Sequence, residues 1–332
     1  MTSSAGICVT GGAGYIGSHA CYALGREGRP ALVLDNLSTG FSGAVRWGPL
    51  VKIDLRDTAR LIETLRQYRI KTILHFAASA YVGESIQDPI KYYDNNVLGM
   101  ISLLKACTAA KVQHFILSSS CATYGIPPNS PVAETTPQHP ISPYGQSKLI
   151  CEAMLRDIAG QAGMAFAILR YFNAAGASPN GVLRETHDPE THLIPLALRA
   201  TQGAQLPLFG TDYDTPDGTC LRDYIHVDDL VQGHLLALQH LEKFGGDLTL
   251  NLGSGTGVSN KEVISIVEEV TGAPVSLRIA PRRPGDPPAL TADITRARQI
   301  LEFEPSRSDI YTIVADAARS FGLLKVQDAK SA

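Results

Sequence analysis

The sequence predicts an α/β protein: a doubly wound parallel sheet with a smaller α/β lobe that takes up much of the second half. Three observations point there. Short apolar, β-branched runs alternate with amphipathic stretches through the first half, the pattern of parallel strands covered on both faces by helices. A glycine-rich turn joins the first run to the first amphipathic stretch. After about Asn173 prolines and glycines increase and the elements become shorter and more separated, which predicts the second lobe.

Taken in order, Gly6–Thr10 reads as a strand ending in glycines and residues 16–27 as a helix. A strand over 31–35, a helix over 59–68 and a strand over 72–76 follow. The cycle continues with a helix over 92–110, a strand over 114–118, a helix over 144–162 and a strand over Ala165–Tyr171. Right-handed crossovers between such strands give the doubly wound sheet. Beyond it, 193–202, 228–241 and 261–271 read as shorter, more separated elements and Asp247–Leu252 as another sheet strand. The expected division is a cofactor domain over 1–172, with strands returning from about 220–255, and a ligand lobe mainly over 173–332, the two interleaved. Residues 327–332 read as a solvated tail.

The chain of 332 residues, with a net charge of −3, has ample material for a core and no basic excess, which argues against a nucleic-acid binder. A phosphate-bearing small molecule needs only a few placed cations. The start, MTSSAGICVTGG, lacks a basic segment followed by an apolar core, so no secretory signal is expected. The longest uncharged run, 112–133, is broken by serines, prolines and Asn129, so no membrane helix is expected. Six scattered cysteines without a CxxC pair read as reduced thiols, and nine histidines without an HExxH pattern or cysteine neighbours give no support to a metal site. The expectation is a soluble cytosolic protein.

The turn Thr10-Gly11-Gly12-Ala13-Gly14-Tyr15-Ile16-Gly17 fits both GxGxxG and GxxGxxG. Glycine allows a tight turn and a close approach of backbone to a pyrophosphate at the helix end. Such a match alone could be an ordinary connection, but this one follows a strand and opens a helix. Asp35 ends the next strand, 18 residues past Gly17, where a carboxylate can accept both hydroxyls of an adenosine ribose and repel a 2′-phosphate. That favours NAD over NADP. Asp54-Leu55 falls where a loop could touch adenine, although Asp54 could equally be a helix N-cap.

Tyr144 and Lys148 are four residues apart, hence on one face of a helix. An ammonium and a positive nicotinamide ring both favour phenolate, so the tyrosine can serve as a base near neutral pH. The pair gains weight from Ser118-Ser119-Ser120, at the end of a strand that faces the cofactor crevice.

The segments GGAGYIGSH, DNLSTG, HFAASAYVGES, YYDNNV, SSSCATYG, PYGQSK, RYFNAAG, FGTDYDTPDGTCLRDYIHVDD and RRPGDPPA closely resemble those of extended short-chain dehydrogenase/reductases. In this order, over about residues 6–305, the set is similar to the UDP-glucose 4-epimerases. The resemblance implies a Rossmann domain with NAD, UDP-glucose or UDP-galactose as substrate, and a homodimer. It implies that Gly11, Gly14, Tyr15, Ile16 and Gly17 hold the pyrophosphate. Asp35, Asn36 and Ser38 would surround the adenosine ribose, with Asp54 and Leu55 near adenine. Phe76, Ala77 and Ala78 would line the cofactor, with Asn95 and Ser120 toward its nicotinamide half. Tyr144 would be the base, Lys148 its electrostatic partner, and Phe172 a shield. For the nucleotide sugar it implies Asn173, His192 and Leu193 near diphosphate and uracil, and Pro207, Leu208 and Phe209 at the base. Arg222 and Arg283 would pair with the diphosphate and Asp286 with the uridine ribose. Without the resemblance, Arg222-Asp223 would read as a local ion pair on a solvated face and Arg282–Asp286 as a basic turn.

The implied chemistry is oxidation at sugar carbon 4, rotation of the keto sugar and return of hydride to the opposite face. Dehydratases and UDP-glucuronate decarboxylases carry acidic or basic groups just after the reactive hydroxyl, where this chain has Cys121 and Ala122. A 4-epimerase of a UDP-pentose or a UDP-N-acetylhexosamine is the alternative. A non-catalytic NAD sensor would have no use for Tyr144 and Lys148. Three positions depart from the family pattern: Ala80 receives no role, His192 replaces a common asparagine, and Leu290 lies where residue size tunes the sugar pocket. Leucine there is expected to favour glucose and galactose.

Overall fold

The computed structural model describes residues 6–283 and 285–324, so the expected tail lies outside the described residues. The chain runs β1 (Gly6–Thr10), α1 (Tyr15–Arg26), β2 (Leu32–Asp35), β3 (Leu50–Lys52), α2 (Thr58–Gln67) and β4 (Ile70–His75). Two short helices, α3 (Val82–Gln87) and α4 (Pro89–Tyr92), lead through a π-helical turn at Tyr93–Leu98 into α5 (Gly99–Ala110). Then come β5 (His114–Ser120), α6 (Pro143–Ala162), β6 (Ala165–Tyr171), β7 (Asn173–Ala175), α7 (Leu193–Ala200), β8 (Leu206–Phe209) and β9 (Leu221–His226). The last part holds α8 (Val227–Phe244), β10 (Asp247–Leu252), β11 (Gly257–Ser259), α9 (Asn260–Thr271), β12 (Leu277–Ala280), β13 (Ala289–Leu290), α10 (Thr295–Leu301) and α11 (Ile310–Ser320).

Seven strands form one parallel sheet in the order β3-β2-β1-β4-β5-β6-β10. The strands advance outward from β1 to β3, then cross back to β4 and advance the other way. That reversal opens a crevice beyond the carboxyl ends of β1 and β4, the usual ligand position in such sheets. One face of the sheet is sealed by Ala20, Cys21 and Leu24 of α1, Leu235, Leu238 and Leu241 of α8, and Leu301 of α10. The other face is sealed by Leu61 and Leu65 of α2, Met100, Leu103 and Leu104 of α5, and Cys151 and Leu155 of α6.

The second lobe has its own core, in which Ile194 and Leu198 of α7, Val263 and Val267 of α9, and Ile313 and Val314 of α11 meet. Its larger sheet pairs β9 with β7, β11 and β13, and β8 pairs with β12 beside it. Of the segment 220–255, α8 and β10 join the large sheet, whereas β9 does not. It pairs with β7, which is separated from β6 by the single residue Phe172, so the small sheet grows from that point. The expected single helix over 92–110 is interrupted by the π turn, and α3 and α4 precede it unannounced, because their side chains Ile86 and Ile90 are 63% and 71% exposed and blur the amphipathic pattern.

Candidate active site

The glycine turn is built by close contact. Gly11 takes φ 73°, donates its N–H to the Leu34 carbonyl (2.8 Å) and accepts from Gly14 N–H (3.1 Å). A Cβ on Gly11 would stand 2.6 Å from Ala77 N, and one on Gly17 would stand 2.2 Å from the Gly11 carbonyl oxygen. No side chain caps α1, whose N-cap is Gly14. The first backbone donors and the positive end of the helix dipole therefore remain for an anion. Asp35 holds the turn from below: its two carboxylate oxygens accept from Ala13 N–H (3.0 Å) and Leu37 N–H (2.8 Å). A carboxylate has about four acceptor positions, so capacity remains for a diol. These features fit a dinucleotide.

The neighbouring residues are arranged less uniformly. Asn36 accepts from Ser38 N–H at the exposed rim (3.0 Å). Asp54 is no helix cap: it forms a two-pronged pair with Arg56, and that bond holds its pKa down to about 2, while Asp57 caps α2. Leu55 and Ile16 pack at the edges of the two sheet cores. The Tyr15 ring leaves the turn, and its hydroxyl donates to the Gly176 carbonyl at the base of the second lobe (2.7 Å). Phe76 turns its ring onto His234, with centroids 4.8 Å apart, so its backbone and that of Ala77 face the turn. His75, beneath them, bonds to Thr10 Oγ1 (2.7 Å), and burial pushes its pKa down to about 3.

At the end of β5 the reactive candidates meet. Ser142 caps α6 by accepting from Gly145 N–H (3.1 Å), with Pro143 in the first turn. Gly145 lets the helix approach the loop after Ser120, since a Cβ there would lie 2.5 Å from the Ala122 carbonyl oxygen. Tyr144, 5% exposed, lies beside Ser120, whose hydroxyl accepts from Ala122 N–H (3.2 Å). Burial raises the phenol's pKa well above its ordinary value, and the neighbouring Ser120 hydroxyl pulls it only part of the way back. Lys148 lies on the same face and is buried, but its Nζ donates to the Ser118 carbonyl (2.9 Å), and burial lowers its pKa. Burial works against the phenolate and Lys148 turns its ammonium to the β5 backbone, so the positive nicotinamide ring of the sequence expectation is the remaining influence that favours the charged form.

Two buried polar residues that sequence reading missed support this arrangement. Asn96, beside Asn95 in the π turn, accepts from Ser79 N–H (2.8 Å) and donates to the Ser79 carbonyl (3.0 Å) and Ser147 Oγ (2.9 Å). It ties the loop after β4, including Ala78, to α6. Asn95 itself donates to Asn96 Oδ1 (3.0 Å). Glu152, one turn beyond Lys148, accepts from Ser119 Oγ (2.6 Å) and Arg170 Nη2 (2.7 Å), and Arg170 reaches the Tyr124 hydroxyl (3.0 Å). The spacing Tyr144–Lys148–Glu152 was the available signal.

The second lobe brings most of its candidates together. Phe172, Cys121 and Leu290 share one small apolar cluster with Tyr124, Val132, Ala292 and Ile294, placing Leu290 close to the residue that follows Ser120. Asn173 donates to the Asp223 carbonyl (2.8 Å). Arg222 pairs with Asp286 (2.6 Å), and Arg283 stacks over the Phe209 ring at 4.1 Å. Asp223 is not the partner of Arg222. It is fully buried and accepts from Ser254 N–H and Oγ, Gly255 N–H and Ala292 N–H, so the reading as a solvated ion pair fails. Pro207 and Leu208 continue the strand that carries Phe209, with Leu208 in the lobe core. Leu193 opens α7, and His192 is its N-cap. The His192 imidazole turns to Glu185 (2.6 Å) and Glu190 (3.0 Å), which hold its pKa well up against burial.

Comparison with known proteins agrees with this geometry. The chain matches the NAD dependent epimerase/dehydratase family over residues 7–253. It is 50% identical over 301 residues to a UDP-glucose 4-epimerase of Rhizobium meliloti (strain 1021), covering 90% of this chain and 92% of that one. The crystal structure of UDP-glucose 4-epimerase from Brucella ovis in complex with NAD superposes with a TM-score of 0.94 at 52% identity, over 97% of this chain and 99% of that one. The enzyme of that name from Bifidobacterium longum, solved in complex with NAD+ and UDP, gives a TM-score of 0.90 at 36% identity, over 95% and 98%. With its glycine cradle, its Tyr144–Ser120 contact and this agreement along nearly the whole chain, the protein belongs to the NAD dependent epimerase/dehydratase family.

Proposed function

We propose that the chain interconverts UDP-glucose and UDP-galactose by epimerisation at carbon 4, with NAD held throughout turnover. The observation that carries this reading is Tyr144 buried beside Ser120 at the end of β5, on the same carboxyl edge of the sheet as a glycine turn that fits a pyrophosphate. Gly11 to Gly17 and Asp35 would hold NAD, with Asn36, Ser38, Asp54, Leu55 and the 76–78 backbone around its adenosine and Asn95 and Phe172 toward its other end. NAD would supply there a hydride acceptor and donor for carbon 4 of the sugar and a positive ring that favours phenolate. Tyr144, directly or through Ser120, takes the proton from the sugar 4-hydroxyl and returns it to the epimeric alcohol. The ammonium of Lys148 opposes loss of the phenolate charge.

Arg222 and Arg283 are suited to hold the diphosphate with planar forks of donors, so the keto sugar can rotate while the nucleotide stays clamped. Asp286 takes the uridine ribose, Pro207 and Phe209 the uracil, and Asn173, His192 and Leu193 lie along the nucleotide. The apolar cluster around Leu290 supports a hexose preference, because a branched side chain beside Cys121 and Phe172 leaves less room for an N-acetyl group. A homodimer is supported by five exposed apolar side chains in a single run, Val82, Ile86, Ile90, Tyr93 and Leu98. No helix among the described residues is long and apolar enough to cross a membrane. A cytoplasmic location agrees with six free cysteines. Separate incubations with UDP-glucose, UDP-xylose and UDP-N-acetylglucosamine, with the products identified by NMR, test the reading. UDP-galactose from the first as the fastest reaction supports it, and no product or a dehydrated sugar refutes it.

A further inference from the structure

Between β7 and α7 the loop carries Glu185, His187, Glu190 and His192, four potential ligand atoms that lie within 4.8 Å of one another. Glu185 Oε1 stands 2.9 Å from His187 Nδ1 and 2.6 Å from His192 Nδ1, and Glu190 Oε1 stands 3.0 Å from His192 Nδ1. The second oxygen, Glu190 Oε2, has no hydrogen-bond partner although its side chain is wholly buried, and it lies 4.0 Å from His187 Nδ1. A buried carboxylate oxygen without a donor is costly. Here it lies buried beside the His187 imidazole within the cluster rather than in solvent, which marks a place for a cation.

The chemistry of the set narrows the cation. Two carboxylates and two imidazoles, with the proton on the His192 nitrogen displaced by the ion, compensate a divalent charge, and the mixture of nitrogen and oxygen donors suits a borderline transition ion better than Mg2+ or Ca2+, which prefer oxygen alone. Bonds of about 2.0–2.2 Å in a tetrahedron separate ligands by roughly 3.4 Å, within the range of the spacings seen here. We propose that Glu185, His187, Glu190 and His192 form a closed, four-coordinate Zn2+ site. It is a structural site, because all four positions are filled by protein. Its ligand His192 leads into α7, and the His187 ring meets Tyr15 of the glycine turn (centroids 6.1 Å apart) and Tyr81 (5.7 Å). The ion therefore pins the loop that joins the two halves of the site.

The test uses tag-free full-length protein, stripped with chelator and reloaded with Zn2+ or Co2+. The wild type is expected to retain one Zn2+ per chain after gel filtration, measured by elemental mass spectrometry. Its Tm should rise by roughly 3 °C at saturating Zn2+. Glu190→Gln and His187→Ala should each weaken retention at least about 10-fold. His187→Cys keeps a ligand and should give the Co2+ form a thiolate charge-transfer absorption that the wild type lacks. Failure of the wild type to retain Zn2+, or retention unchanged in both weakened variants, overturns the site. Should those variants fail to fold, absence of the Co2+–thiolate band in His187→Cys overturns it instead.

Discussion

Around the glycine turn the groups that would hold a ligand are backbone donors fixed by contacts too close for any side chain, whereas in the second lobe they are long side chains that hold one another. Gly17 has the Gly11 carbonyl where a Cβ would be; Arg222 has Asp286, and Arg283 has the Phe209 ring. The first region is ready before any ligand arrives, at the cost of tolerating no substitution. The second must exchange partners, which suits a site that grips a nucleotide while its sugar turns over. The histidines of the first region follow the same rule. His19, His75 and His234 are buried, and burial lowers their pKa values to about 4, about 3 and about 4.

The strongest challenge to this contrast is Gly17→Ala. The added methyl displaces the backbone of the turn, so cofactor released on denaturation should fall from near one per chain to under about a tenth. Normal cofactor content would show that the turn is not preformed. Tyr144→Phe comes next: turnover should fall about 10²–10⁴-fold while UDP-sugar binding, followed by calorimetry, is retained. Arg222→Ala probes the exchanging side. It should raise KM about 10²-fold with a smaller change in kcat, and Asp286→Asn should raise it only about 10-fold. Equal effects on kcat would place Arg222 in the chemistry rather than the grip.

The smallest effect is on stability with pH. A histidine whose folded pKa is depressed loses stability as pH falls below its ordinary value of 6.5, because the unfolded chain takes up the proton first. For His19, His75 and His234 that loss starts near pH 6.5 and continues down to about 4 and about 3. The Tm should therefore drop by about 5–10 °C between pH 7 and pH 5. A flat profile would mean that these imidazoles are not held neutral.

The same contrast governs what could be read from the sequence. The sheet strands and the glycine turn were legible because each depends on neighbours in sequence: an apolar run, a strand end, a helix start. The π turn was not, because its reason is the amide of Asn96 bonding to Ser79 and Ser147, contacts that no local period announces. Nor was the pairing of Arg222 with Asp286, which joins β9 to a segment 64 residues later. The burial of Tyr144, which works against its phenolate, was not legible either, because charge is visible in sequence and desolvation is not. The residues Glu185, His187, Glu190 and His192 are close in sequence, but their convergence depends on the path of the loop, which no local period announces.

The central claim is that one hydride leaves carbon 4 and returns to the same carbon within one closed site. Incubating the wild type with UDP-galactose carrying deuterium at carbon 4, and reading the UDP-glucose formed by NMR, tests it most directly. The expected product is UDP-glucose that keeps the deuterium at carbon 4. Loss of the label to water, or its transfer elsewhere on the sugar, would contradict it.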